Sequence, residues 1–99
     1  MHTISEPFEA ARFAASVVRR HIPDPSYKVF LFGSRADGSA HERSDIDIGI
    51  EGPAPVASAI LAAIEDDLEE APTLYSFDFV DFSRLPEKVR QVAQTRTSL

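Results

Sequence analysis

Two aspartates flank a single isoleucine, Asp45-Ile46-Asp47, in a stretch that otherwise reads as a buried strand. Side chains alternate along a strand, so Asp45, Asp47 and Gly49 share one face, and Ile46, Ile48 and Ile50 share the other. The isoleucine face can pack on helices. The aspartate face must meet water or ions, because an unpaired carboxylate is costly to bury. Two carboxylates about 7 Å apart along a strand can turn their oxygens toward shared divalent cations. Mg²⁺ suits such a site, since it takes oxygen ligands and bridges to substrate phosphates.

A third aspartate repeats the pattern. In Phe77-Asp78-Phe79, Asp78 emerges beside Asp45 and Asp47 if the phenylalanines join the isoleucines in the core. Asp81 has the opposite parity and, near the strand end, reads as a solvated or turn residue. Three converging carboxylates raise one another's pKa unless a counter-ion is present. Two metal ions held by the trio would relieve that repulsion and could serve an in-line displacement at phosphorus.

Gly33-Ser34 ends the preceding apolar run, and ten residues separate Ser34 from Asp45. Gly33 permits backbone close to a ligand, and N–H groups at such a bend can hold phosphate oxygens. Ser34 adds a hydroxyl, and Arg35 a forked guanidinium suited to phosphate. Taken singly, each feature has a plainer reading. Gly-Ser is commonly a turn, Asp-x-Asp a solvated surface pair, Asp78 edge protection and Arg35 a surface charge. Their joint occurrence, in this order, carries the inference.

These residues need a scaffold. Helical spacing from Ser5 to Arg20 places Ala10, Phe13, Ala14, Val17 and Val18 on one face, with Ser5 as its cap and Pro7 in its first turn. Lys28–Phe32 reads as a central strand and Ser44–Ile50 as a second. Val56, Ile60, Leu61, Ile64 and Leu68 form a helical stripe within Val56–Glu70, and the acidic run Glu65 to Glu70 is its solvated side. Leu74–Phe82 reads as a third strand. Ser83 caps a last helix with Leu85, Val89, Val92 and Ala93 on one face. The order predicts a small α/β (α+β) sandwich: a mixed sheet of three or more strands with helices packed on one face.

Composition narrows the function. The chain has 99 residues, taken as one domain spanning 1–99, and 43% are apolar, enough for a modest core. A net charge of −6 argues against direct nucleic-acid binding through a basic surface. The absence of cysteine excludes thiolate zinc sites and fits a cytoplasmic protein. No apolar run approaches a membrane span, and the first residues show no export signal. His41 is assigned no role, and neither His2 nor His21 has metal-ligand spacing to it.

The Gly33-Ser34 pair, its spacing to Asp45-Ile46-Asp47 and the later Asp78 resemble the signature of the polymerase-β-like nucleotidyltransferases. The resemblance runs from Val29 to about Val92 and is strongest to the minimal nucleotidyltransferases, the antitoxin half of HEPN/MNT toxin–antitoxin pairs. It implies that Asp45 and Asp47 ligate Mg²⁺, and that Asp78 completes the site and helps deprotonate an acceptor hydroxyl. Gly33 and Ser34 would hold the triphosphate. The implied reaction moves a nucleoside monophosphate, with ATP as the expected donor, onto a hydroxyl of a HEPN-type RNase toxin. The alternatives are an antitoxin that acts by binding alone and a transferase for a small molecule such as an aminoglycoside. The chain has no room for a separate acceptor domain, so the acceptor site is expected to come from a partner protein or an oligomeric interface. One position departs from the family pattern: Asp37 stands where an arginine is frequent, and a carboxylate there would repel phosphate.

Overall fold

The five-residue run Lys28–Phe32 forms β1 as the sequence predicts, and Ile46–Glu51 forms β2 beside it. The two are antiparallel, with Phe32 opposite Asp47 and Lys28 opposite Glu51. The computed structural model describes residues 3–33, 45–91 and 95–99. Ser34, Arg35, Asp37, His41 and Ser44, as well as Val92 and Ala93, lie outside the described residues.

β3 (Phe77–Asp81) adds parallel to β2, and a short β4 (Thr97–Ser98) pairs antiparallel with β1. The order across the four-stranded mixed sheet is β3-β2-β1-β4. β2 therefore lies inside the sheet, and β3 is at an edge.

The isoleucine face behaves as its alternation requires. Ile46, Ile48 and Ile50 are all 0% exposed. They pack with Val29 and Leu31 against α1 (Pro7–His21), which contributes Ala10, Ala14, Val17 and Val18, and against Ile64 and Leu68 of α2 (Ser58–Glu69). Phe77 and Phe79 pack against this core, as predicted. His21 of α1 meets Asp67 of α2 at 2.7 Å, tying the two helices together on the same side of the sheet.

Local boundaries differ from the sequence expectation for identifiable reasons. The cap of α1 is Glu6, not Ser5: its carboxylate accepts from the N–H groups of Phe8 and Glu9 at 2.9 and 2.8 Å. An acid placed there also faces the positive end of the helix dipole. The α2 helix begins at Ser58 rather than Val56: Ala57 is its N-cap, with ψ 139°, and the Val56 N–H before it donates to the Asp81 carboxylate. Ile60, placed on the buried stripe, is 38% exposed. The third strand begins at Phe77; Leu74 is 97% exposed, and Thr73 is instead bridged to Ile4.

A single 3-10 turn, Phe82–Arg84, replaces the end of the predicted strand, and among the described residues Glu87–Arg90 (α3) follows as helix. The cap of that 3-10 turn is Asp81, which accepts from Ser83 N–H, so Ser83 is capped rather than capping. Val89 is exposed. Among the described residues, no helix is long and apolar enough to cross a membrane.

Candidate active site

Asp47 occupies the middle of the aspartate face. Its neighbour across one ladder is Phe32, and across the other is Asp78. In-register residues project from the same side of a sheet, so Asp47 and Asp78 rise together. Asp45 stands immediately before β2 with matching parity and is exposed. Parity thus brings the three predicted aspartates to one side. The carboxyl of Asp47 is pushed above its ordinary range, first by burial and then by the negative charges of Asp78 and Asp45.

Gly33 follows β1 directly and has φ +74°, a conformation that favours glycine. A Cβ built there would lie 3.0 Å from Asp47 Cγ and would strike the carboxylate itself. The missing side chain at Gly33 leaves the space in which the Asp47 carboxylate sits. The sequence assigns Gly33 a close approach to a bound phosphate; the neighbour seen here is the Asp47 side chain. Its predicted partners in phosphate binding, Ser34 and Arg35, are outside the described residues.

The same face is closed at the far end by an aromatic layer. Phe30, Phe32 and Phe82 meet edge-to-face, with centroids 5.1 Å apart for Phe30–Phe82 and 4.9 Å for Phe32–Phe82. Gly49 lies beneath them, and a Cβ there would come within 2.5 Å of Phe30 and 2.9 Å of Phe82. Arg96 stacks over Phe30 and Phe82 and pairs with Glu51 at 2.6 Å; Arg90 also reaches Glu51. The sequence reading missed this layer. Its signal is the Phe30-x-Phe32 alternation, which places two rings on the aspartate face.

Asp81 corrects part of the sequence reading. The sequence reads it as a solvated or turn residue; it is the last residue of β3 and caps the 3-10 turn, and at 6% exposure it is buried rather than solvated. Its carboxylate accepts from Val56 N–H and Ser83 N–H and lies 3.7 Å from Arg84. Its hydrogen bonds are structural, and it lies on the opposite face from Asp78.

Among the described residues, no three acidic or imidazole groups are clustered tightly enough to enclose an ion unaided. The donor set nevertheless suits a hard cation: three carboxylates on one face, with the central one raised by burial and by the other two. A divalent ion would remove the repulsion that raises Asp47, and bound phosphates would supply the remaining oxygens.

A mixed sheet that presents carboxylates from neighbouring strands beside a glycine bend has the donor set of a domain that handles phosphates through a divalent cation. Residues 24–99 match the family model described as polymerase beta, nucleotidyltransferase. The chain belongs to the polymerase-β nucleotidyltransferase family. It is similar to the probable protein adenylyltransferase MntA of Haemophilus influenzae, at 25% identity over 84 residues, covering 85% of this chain and 72% of that protein. Two solved structures share the fold at lower identity. One is a toxin–antitoxin crystal structure with AMP-PNP: TM-score 0.62, 22% identity, 89% of this chain and 70% of the matched chain. The other is a tri-AMPylated Shewanella oneidensis HEPN toxin in complex with MNT antitoxin: TM-score 0.62, 16% identity, 94% and 71%.

Proposed function

We propose that this protein is a Mg²⁺-dependent adenylyltransferase that moves AMP from ATP onto a hydroxyl of a HEPN-type toxin and so acts as its antitoxin. The observation that carries this reading is the register of Asp47 against Asp78, with Gly33 opening space beside them. The similarity to a protein adenylyltransferase supports AMP as the group transferred. The fold shared with an antitoxin bound to an AMPylated toxin supports the partner class.

In this reading, Asp45 and Asp47 hold the cation and Asp78 completes its site; one or two ions fit the donor set. When bound, Mg²⁺ offsets the negative charge that builds on the phosphates. The chain's own groups do the rest. The turn at Gly33 brings backbone close to the triphosphate, with Ser34 and Arg35 as further contacts. Asp78, exposed on the edge strand, takes the proton of the acceptor hydroxyl as its oxygen attacks the α-phosphorus. The bond from that phosphorus to the bridging oxygen breaks, and pyrophosphate leaves.

The test is incubation with ATP labelled at the α-phosphate, Mg²⁺ and a HEPN-type toxin chain that binds this protein. Label should appear on the partner with wild-type protein and be lost with Asp47→Asn. No label on a folded, bound partner would overturn the transferase reading. Protection of cells by the Asp45→Asn/Asp47→Asn protein would show that binding alone suffices.

A further inference from the structure

The outer edge of β3 carries a groove that adjoins the carboxylate site at Asp78. Consecutive residues from Tyr75 to Phe79 line one cleft of about 420 Å³. Adjacent strand residues point to opposite faces, so a run of them can border a single space only where that space follows the strand's edge. The Ile46 N–H donates to the Ser76 carbonyl at 2.9 Å. By alternation Asp78 turns its own backbone polar groups toward β2, while Phe77 and Phe79 turn theirs outward into the cleft. The opposite wall comes from the last turns of α2, where Leu68 is apolar and Glu65 and Glu69 are exposed acids.

We propose that this edge receives an extended, cationic segment of the acceptor protein as an added strand, with its hydroxyl-bearing residue opposite Asp78. Identifying that residue as the acceptor rests on the transferase reading; the docking itself does not. A residue in register with Asp78 would stand about 5 Å away and project from the same face as Asp47 and Asp78. Its two neighbours would point to the helix side, over Phe77 and Phe79 and toward Glu65 and Glu69. Arginine fits there, with methylenes on the rings and guanidinium on the carboxylates. The groove runs into the carboxylate site through Asp78, which lines both. A second copy of this chain is a poor occupant, because it would bring its own acidic rim, and a net charge of −6, against this one.

The experiment titrates ¹⁵N-labelled protein with an acetylated peptide, Val-Arg-Val-Arg-Tyr-Arg-Val-Arg-Val, and with a control carrying glutamate for each arginine. The arginine peptide should shift the Phe77 and Phe79 amides saturably, and the control should not. Glu65→Lys/Glu69→Lys, two exposed changes verified to leave the remaining spectrum intact, should weaken binding on the order of tenfold. Shifts that map elsewhere, equal binding by the double variant, or concentration-dependent shifts of these amides without peptide would each overturn the docking. Labelled ATP and Mg²⁺ then separate the two ideas. Peptide bound at the edge without label on its tyrosine would preserve the docking and overturn the assignment of the residue opposite Asp78 as acceptor. Label with an unchanged KM in the double variant would preserve transfer and contradict the docking.

Discussion

Gly33 lies so close to Asp47 that one added methyl group would collide with the carboxylate. The bend after β1 and the aspartate on β2 are therefore one structural unit, joined by the antiparallel register that places Phe32 opposite Asp47. Gly33→Ala must adopt φ +74° with a side chain and also displace Asp47. It should lower stability by about 1 kcal/mol or more and transfer by at least roughly tenfold. Denaturant melts and initial rates check the two effects separately.

Asp47→Asn should abolish transfer, by at least ~100-fold, without unfolding the protein, since it removes a ligand charge at constant size. Its effect on metal-free stability has the opposite sign. The folded carboxyl is raised by burial, Asp78 and Asp45, so ionising it weakens the fold as pH rises from the ordinary carboxylate range through the raised value. The variant should therefore melt higher than wild type at neutral pH without Mg²⁺. The two should converge in acid, where Asp47 is protonated in both states. Thermal melts across pH, with and without Mg²⁺, give the comparison.

Glu6 shows the usual carboxylate sign. Its hydrogen bonds from Phe8 and Glu9 hold its pKa below the ordinary value. That stabilisation is present above the unfolded pKa and is lost as pH falls through the lowered one. Glu6→Ala should thus lower the melting temperature at pH 7, and the difference should close in strong acid.

Asp78 and Asp81 lie three residues apart and should separate cleanly. Asp78→Asn is predicted to cut transfer while leaving stability nearly unchanged, as its side chain is exposed. Asp81→Ala removes a buried acceptor from Val56 N–H and Ser83 N–H and should cost about 1–3 kcal/mol. The transfer rate of the protein that stays folded should hold. Urea unfolding beside rate measurements distinguishes the two roles.

Much of this arrangement is written in local alternation. The Ile46/Ile48/Ile50 and Phe77/Phe79 pattern assigns faces without tertiary information, which is why Asp47 and Asp78 fall into register as parity requires. The bounds of β1 were legible from its short apolar run, Val29 to Phe32. What escaped depends on distant contacts. The segment before α2 is held by Asp81, which accepts from Val56 N–H across 25 positions. The two-residue β4 is too short to carry a period, and its pairing with Phe30 and Leu31 is settled across the fold. The Phe30–Phe32–Phe82 layer stayed hidden because an unbroken apolar run reads as a strand buried on both faces, with no clue to what covers the second.

The central claim is that Asp45, Asp47 and Asp78 share a divalent cation with bound nucleotide. Crystals grown with Mn²⁺ and a non-hydrolysable ATP analogue test it through anomalous scattering. The expected result is one or two peaks about 2.1–2.2 Å from carboxylate oxygens of Asp47 and its two companions, bridging to the phosphates. Ordered nucleotide with no peak at Asp47, or with the metal held by other side chains, would contradict it.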